Sequence, residues 1–483
     1  MTTDSAVPLV VDLDGTLLRG DMLLESANEF VAGAPWRAPA LIAALLAGRA
    51  KLKEFLARRV SPDVTVLPYN TDVLDFLAAE RATGRRIVLA TASSRLLADR
   101  IAAHLGFFDE VLASDETINL KAARKADLLV ERFGTAGFDY LGNDSADFAV
   151  WKVASSALVV SSNPRFIARV SAVSEVSRVF SPQREGAMGS LLAALRPHQW
   201  TKNLLIVIPL VASHRFDEPA DVLRAAIAFV LFSLVASSVY VLNDLVDVAQ
   251  DRHHARKRRR PFASGALGLW VGWLLWPVLL VVAAVGGALL LPAGFLLVLA
   301  GYFLLTLTYS LVLKKRAMWD VLALALLYLA RLVAGAVAIG VEVSFWLLCF
   351  AMFFFLSLAL VKRYNELRED RTLLESPTKV RGRGYFATDL PLVVSLGPAA
   401  GYVSALIVAL YVYDERTASL YSTPQFLWVT VPLLLFWISR VWLIAHRGEM
   451  HDDPVVFAIR DRTSYLVGFF VVAAFVLAIF VGE

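Results

Sequence analysis

The chain has 483 residues, 58% of them hydrophobic, and a formal charge of only +4; its mean hydropathy is +0.61. That length holds two or three domains, the apolar share exceeds that of an ordinary soluble domain, and the near-balanced charge excludes a strongly basic nucleic-acid binder. The single cysteine, Cys349, excludes an internal disulfide and reads as a buried, inert thiol in an apolar run.

Up to about residue 182 charged and apolar residues alternate as in a soluble protein. The first twenty residues carry no basic segment ahead of an apolar core, which predicts no cleavable signal peptide. The stretch "LVVDLDGTLLRG", Leu9–Gly20, is an apolar strand running into D-x-D-G-T. At the end of a parallel strand Asp12 is placed to attack phosphorus, and Asp14, two residues on, to protonate a leaving oxygen. Gly15 permits the sharp turn. This stretch resembles the first motif of the haloacid dehalogenase (HAD) phosphatases.

The remaining signals of that family follow in order. "RIVLATASS" is a buried strand ending at Thr91, which matches the phosphate-binding hydroxyl of the second motif. "LKAARKADLL" opens a helix, with Lys125 the better match to the lysine that balances charge at the nucleophile and Lys121 the alternative. "FDYLGNDSAD" is a strand followed by an acidic loop, like the fourth motif, but Asn143 stands at its first acid position. The resemblance then implies Asp144, with Asp12 and Asp14, as Mg²⁺ ligands and Asp147 in support. The expected fold of residues 1–180 is a doubly wound, Rossmann-like α/β domain. A small helical cap of about residues 21–70 would cover the site. Within it, "LLAGRAKLKEFLARR" has a basic face, either solvated or in contact with phosphate or membrane.

Residues from about 171 to 190 read as a connection, and "GAMGSLLAALRPHQW" as an amphipathic approach to a membrane, so the division is 1–180, 181–200 and 201–483. The last part is expected to be all-α and polytopic. A helix needs about 20 apolar residues to cross a ~30 Å hydrocarbon core. Candidate spans are 203–216, 221–242, 267–291, 293–312, 318–340, 343–361, 390–412, 424–445 and 464–481, nine with a short first one. Basic loops follow alternate spans: Arg252 to Arg260, Lys314 to Arg316, Lys362 to Arg383 and Arg447 to Arg462, against Arg215 and Arg416 opposite. The positive-inside rule puts the basic loops and the N-terminal domain in the cytoplasm, and nine spans put the C-terminus outside. The expected location is a bacterial inner membrane.

Topology explains those bases but not the acids before them. In "NDLVDVAQDRHHARKRRR", Asp244, Asp247 and Asp251 close an apolar helix, where carboxylates oppose the macrodipole. On a continuous helix they fall within about 60° of one another. Three carboxylates on one face repel unless a cation sits among them. Solvation or pairing with Arg252 and Lys257 is one resolution; a Mg²⁺ site for a diphosphate, with bases on its phosphate oxygens, is the other.

"NDLVDVAQD" fits the N-D-x-x-D-x-x-x-D motif of the UbiA superfamily of intramembrane prenyltransferases, and the resemblance covers about residues 190–483. A second Asp-rich motif is usual in the aromatic prenyltransferases, but this chain reads "LVKRYNELRED" there. Together with "LRPHQWTKN", "YLARLVAGAVA" and "FAIRDR", it is similar to the decaprenyl-phosphate phosphoribosyltransferase branch. That resemblance implies phosphoribosyl diphosphate (PRPP) as donor and a polyprenyl phosphate as acceptor. Asp244, Asp247 and Asp251, with Asn243 or Glu366, would hold Mg²⁺. Lys202, Arg252, Lys257, Arg260, Lys314, Lys362 and Arg363 are phosphate candidates. Asn203, Tyr240, Tyr309, Tyr328, Arg331 and Tyr364 are candidates to line the substrate cavity, and Arg331 is costly in lipid unless it faces polar groups.

The implied chemistry has two steps: phosphoribosyl transfer in the membrane, then removal of the 5-phosphate by the HAD domain. Its product would be polyprenyl-phosphoryl-ribose for envelope glycans. The alternative is an aromatic prenyltransferase with a separate or regulatory HAD domain. Either reading is compatible with a homo-oligomer.

Overall fold

The structure is a computed structural model and describes residues 7–114, 120, 122–181, 186–369, 384–414, 421–450 and 454–481. Lys121 and Arg416 lie outside the described residues. The chain forms two compact units. One comprises residues 1–196 and 240–278; the other comprises 197–239 and 279–483.

The first unit is built on a six-stranded parallel sheet of order β3-β2-β1-β4-β5-β6. Its strands are β1 (Leu9–Val11), β2 (Ile87–Ser94), β3 (Glu110–Ser114), β4 (Asp139–Gly142), β5 (Ala157–Val160) and β6 (Val176–Phe180). The central strand pairs on both edges, with Val10 opposite Val88 and Tyr140. It therefore needs apolar side chains on both faces, and Leu9, Val10 and Val11 are fully buried. β6 pairs with β5, so residues 176–180 belong to the sheet and not to the expected connection. The strand order reverses between β1 and β4, which opens a crevice at their carboxyl ends. Motif one and the acidic loop both end there.

Helices α1 (Met22–Gly33), α2 (Ala38–Leu46) and α3 (Arg49–Ala57) form the cap inserted after β1. Asp21 starts α1 by accepting from the Leu23 and Leu24 amides. Helices α4 (Thr71–Ala82), α5 (Arg95–Leu105), α6 (Ala123–Phe133), α7 (Phe148–Trp151) and α8 (Pro164–Ser171) complete the α/β layers. The expected α/β fold with a helical cap is present.

Downstream come α9 (Ala187–Leu195), a 3₁₀ stretch Pro197–Val207, α10 (Ile208–Ala212), α11 (Pro219–Val246) and α12 (Val248–His253). Then follow α13 (Leu269–Leu290), α14 (Ala293–Leu311), α15 (Trp319–Ile339), α16 (Phe345–Glu369), α17 (Leu390–Tyr413), α18 (Thr430–Arg447), α19 (Pro454–Arg460) and α20 (Arg462–Phe480).

Among the described residues eight helical segments are long and apolar enough to cross a membrane. The protein is a multi-pass membrane protein, with eight such helices among the described residues where the sequence suggests about nine. The expected first span, 203–216, folds instead as the 3₁₀ stretch and the five-residue α10. The parity argument that put the C-terminus outside loses its ninth span. The 3₁₀ stretch packs on α15 so closely that a Cβ on Gly335 would lie 2.0 Å from the Ile206 carbonyl oxygen. Cys349, on α16, is half-buried.

Candidate functional site

Two clusters in the first unit gather candidate residues named from the sequence. The first sits at the end of β1. Gly15 has a φ of +75°, which favours glycine, and its N–H donates to the Gly20 carbonyl at 3.0 Å. A Cβ there would lie 2.1 Å from Asn143 Nδ2, so the turn also needs glycine for its close approach to the acidic loop. Asn143 Oδ1 accepts from the Thr16 hydroxyl at 3.0 Å.

Lys125 Nζ donates to Asp12 Oδ1 at 2.6 Å and to the Tyr140 hydroxyl at 3.0 Å. Tyr140 in turn donates to Asp147 Oδ1 at 2.8 Å. Asp147 Oδ2 accepts from the Asn143 and Asp144 amides, each at 3.0 Å, which fixes the loop. Burial pushes the Asp12 carboxyl up to about 7, against the pull of Lys125. Burial also pulls Lys125 down, but Asp12 and Asp147 outweigh it and hold the ammonium above the usual lysine value.

Asp14 accepts from the Met22 amide at 2.8 Å and from Ser93 Oγ at 2.7 Å. Burial, with the Asp21 charge added, raises it to about 6. Thr91, fully buried, accepts the Ser93 amide at 3.0 Å. From the cap, Lys53 donates to the Ala92 carbonyl at 2.6 Å. Contacts thus pair Asp12 with Lys125 and, through Ser93, Asp14 with Thr91, at the ends of the adjacent strands β1 and β2. Asp144 is exposed, and its carboxylate accepts from the amide and hydroxyl of Ser145. Ser93 and Tyr140 escaped the sequence reading. The one signal for each was its closeness to a motif position, Ser93 two residues from Thr91 and Tyr140 three from Asn143.

The second cluster lies where α11 ends. The helix does not continue through the acidic motif: Asp247, with φ −91° and ψ 4°, separates α11 from α12. The three carboxylates therefore do not share a continuous helix face, which corrects the expectation. Asp244 and Asp251 are nonetheless brought together, because Arg260 Nη1 donates to Asp244 Oδ1 at 3.0 Å and to Asp251 Oδ2 at 2.6 Å. Arg196 also pairs with Asp244 Oδ1 at 2.5 Å. Burial raises the Asp251 carboxyl above its ordinary range, partly opposed by Arg260.

Asp247 and Asn243 are half-buried, and Lys257 is exposed. Tyr240 lies under the Arg196 guanidinium, 5.3 Å from its ring centre. Arg252 is held elsewhere: Nη1 and Nη2 donate to Glu25 of α1 at 2.9 and 2.8 Å, and Nε donates to the Ala263 carbonyl at 3.0 Å.

Both clusters offer only oxygen donors, the chemistry that suits Mg²⁺. Asp244 Oδ2 is buried and lacks a hydrogen-bond partner, which leaves that oxygen as a candidate ligand for a cation. Among the described residues no three His, Cys, Asp or Glu side chains already form a metal-sized group.

In the second unit Arg331 is buried in α15. It donates to Asn203 Oδ1 at 2.8 Å, to the Tyr302 hydroxyl at 3.2 Å and to the Leu327 carbonyl. Its guanidinium also lies over the rings of Phe232, Tyr302 and Tyr328. Tyr302 was not among the sequence candidates; Tyr309, which was, is half-buried two turns further along α14. Arg363 is buried and pairs with Asp320 at 2.5 Å and with Glu366. Tyr364 meets His446 Nδ1 at 3.2 Å, and Lys202, Lys314 and Lys362 are half-buried.

Comparison with known proteins places both parts of the chain. The UbiA prenyltransferase family pattern matches residues 204–466, and the haloacid dehalogenase-like hydrolase pattern matches residues 9–132. The uncharacterised protein y4nM of Sinorhizobium fredii is 38% identical over 476 residues, covering 98% of this chain and 92% of its own length. Nodulation protein NoeC of Azorhizobium caulinodans is 36% identical over 56% of this chain and 87% of its own. Decaprenyl-phosphate phosphoribosyltransferase of Mycobacterium tuberculosis is 32% identical over 58% of this chain and 91% of its own. The chain belongs to the UbiA prenyltransferase family and carries an N-terminal HAD-like hydrolase domain.

Proposed function

We propose that the membrane part transfers 5-phosphoribose from PRPP to a polyprenyl phosphate, and that the HAD-like domain then removes the 5-phosphate. The supporting observation is the cluster at the end of α11. A buried Asp244 oxygen without a hydrogen-bond partner stands beside two guanidiniums, Arg196 and Arg260. Carboxylate and guanidinium together suit a metal-bound diphosphate, because one binds the ion and the other the phosphate oxygens. The 32% identity to a decaprenyl-phosphate phosphoribosyltransferase favours this substrate pair.

In the first step a phosphate oxygen of the acceptor lipid bonds to ribose C1 while the bond from C1 to the diphosphate breaks, and diphosphate leaves. Mg²⁺, held by Asp244, Asp251 and Asp247, would stabilise the negative charge that develops on the leaving diphosphate. Arg260 and Arg196 orient that group, and Lys257 adds charge at its exposed edge. Lys202, Lys362 and Arg331 are proposed for phosphate contacts, with Asn203 and Tyr328 positioning Arg331.

In the second step Asp12 attacks the 5-phosphate, and Asp14 gives its proton to the leaving ribose oxygen. Water then releases inorganic phosphate from Asp12. Lys125 favours the ionised form of the nucleophile against the effect of burial, and Thr91 binds a phosphoryl oxygen. Mg²⁺ held by Asp12 and Asp144 would neutralise phosphate charge, with Asp14 a further proposed ligand once it has given up its proton. The product is polyprenyl-phosphoryl-ribose. We place the enzyme in the bacterial inner membrane with the HAD-like domain in the cytoplasm.

The test supplies purified protein and Mg²⁺ with radiolabelled PRPP and polyprenyl phosphate, or with a prenyl diphosphate and an aromatic acid. Label entering the lipid from PRPP is expected. Turnover of the second pair alone would transfer the protein to the aromatic prenyltransferases.

A further inference from the structure

We propose that the cap of the HAD-like domain is an interfacial membrane anchor, and that the 3₁₀ turn and helix spanning Pro35–Leu46 lie on the lipid surface. Among the described residues, nothing covers the apolar faces of this segment. Trp36, Ile42, Leu45 and Leu46 are 78%, 57%, 52% and 84% exposed. Soluble domains seldom leave such side chains contiguous on their surface. Twelve residues of helix extend only about 18 Å, too short to cross a bilayer but suited to lie along it.

Charge favours lipid over a second protein as the occupant. From Val31 to Lys53 the chain carries four bases, Arg37, Arg49, Lys51 and Lys53, and no acid. Arg37 and Lys51 are exposed beside the apolar segment. An apolar edge with basic flanks matches a leaflet of anionic headgroups over acyl chains.

Position favours it as well. The preceding helix, α1, is fixed to the ends of two membrane-spanning helices. Asn28 Nδ2 donates to the Leu245 carbonyl near the end of α11 at 2.8 Å, and Trp273 Nε1, one turn into α13, donates to Asn28 Oδ1 at 3.1 Å. The Leu245 carbonyl is one of the last in α11, and helix ends leave such groups without internal partners. Asn28 therefore caps a spanning helix where its hydrocarbon segment ends. Trp270, in the first turn of α13, is 58% exposed, as a tryptophan at the headgroup level would be. Only Ala34 separates α1 from Pro35, so the exposed segment starts beside this boundary.

Docking there serves a phosphatase whose substrate is a lipid. α3 follows the segment, and its Lys53 reaches the end of β2 beside the Asp14 partner Ser93. The anchor would hold the mouth of the hydrolase site at the depth of lipid headgroups.

The experiment uses the full chain with Cys349→Ala and one new cysteine, Ile42→Cys, labelled with bimane. The protein is placed in nanodiscs of phosphatidylcholine and phosphatidylglycerol, with or without lipids carrying a nitroxide near the headgroup end of an acyl chain. We expect blue-shifted emission quenched several-fold more strongly than at Glu131→Cys, an exposed site on α6. Trp36→Glu with Leu46→Glu should abolish the difference. Red-shifted, unquenched emission would mean open water, and blue-shifted, unquenched emission would mean cover by protein. Either result overturns the anchor. The readout needs no substrate, so it is independent of the phosphoribosyl reading.

Discussion

Arg252, just beyond the end of α11, grips Glu25 of the cap helix through two parallel hydrogen bonds of 2.9 and 2.8 Å, across 227 residues of chain. Both side chains are under a tenth exposed. The pair ties the hydrolase cap to the segment that carries the acidic motif, with Asn28 as a second tie. Removing one partner of a buried pair strands the other charge, which costs about 3–5 kcal/mol. Glu25→Gln should therefore lower the thermal midpoint of the purified protein by several degrees. Glu25→Leu combined with Arg252→Met should recover much of that loss. An unchanged midpoint in Glu25→Gln would show that the pair carries no stability.

The Asp12 carboxyl makes a prediction about pH. Its folded value, about 7, lies above the ordinary 3.8. Between those values the folded state holds a proton that the unfolded state has released, so this group's stabilisation is complete below 3.8 and is lost as pH rises through about 7. Without added metal, the fall in stability over that window should be steeper in the wild type than in Asp12→Asn, measured by denaturant unfolding of the hydrolase signal. Equal slopes would contradict the raised value. Added Mg²⁺ should flatten the wild-type slope, because an ion bound by Asp12 favours its charged form.

Arg331 should matter for transfer more than for folding. It is a buried guanidinium held by Asn203, Tyr302 and a backbone carbonyl. Hydrogen bonds to charged groups contribute about 1.5–3 kcal/mol each, so losing one to a substrate phosphate would slow transfer about ten- to hundred-fold. We expect that loss in kcat/KM for Arg331→Met, with a retained chromatographic profile. Wild-type kinetics in this variant would remove Arg331 from the site.

Arg363 leads to a different expectation. Its guanidinium is buried against Asp320, whose Oδ1 also accepts from Tyr385 at 2.7 Å. Asp320→Asn should destabilise the protein by about 3–5 kcal/mol, read as loss of folded protein on mild heating in detergent. Asp320→Leu with Arg363→Met should restore much of it. If the double variant stays folded and transfers at the wild-type rate, Arg363 has no phosphate to bind.

Residues whose role is local were the most legible in the sequence. Asp12, Asp14 and Gly15 sit in one short motif, and the fold puts them at a strand end because an apolar run leads straight into them. Lys125 could be chosen by its place at a helix start. The sequence reading of Asp244 and Asp251 assumed a continuous helix, and Asp247 breaks it. The cation that bridges them, Arg260, is nine residues from one and sixteen from the other, so only folding reveals the pairing. Arg252 and Arg363 looked like phosphate ligands by charge, but their acids, Glu25 and Asp320, are distant in sequence. The 203–216 segment had the composition of a span but not its helical length. Tyr302 carried no motif, and only the approach of α14 to α15 identifies it.

The central claim is that one chain both builds and dephosphorylates a lipid-linked pentose. Mass spectrometry of the lipid made from isotope-labelled PRPP, polyprenyl phosphate and Mg²⁺ tests it most directly, with wild type and Asp12→Asn compared side by side. The account predicts polyprenyl-phosphoryl-ribose from the wild type and the same lipid carrying one extra phosphate from Asp12→Asn. Identical products from both proteins, or no label in any lipid, would contradict it.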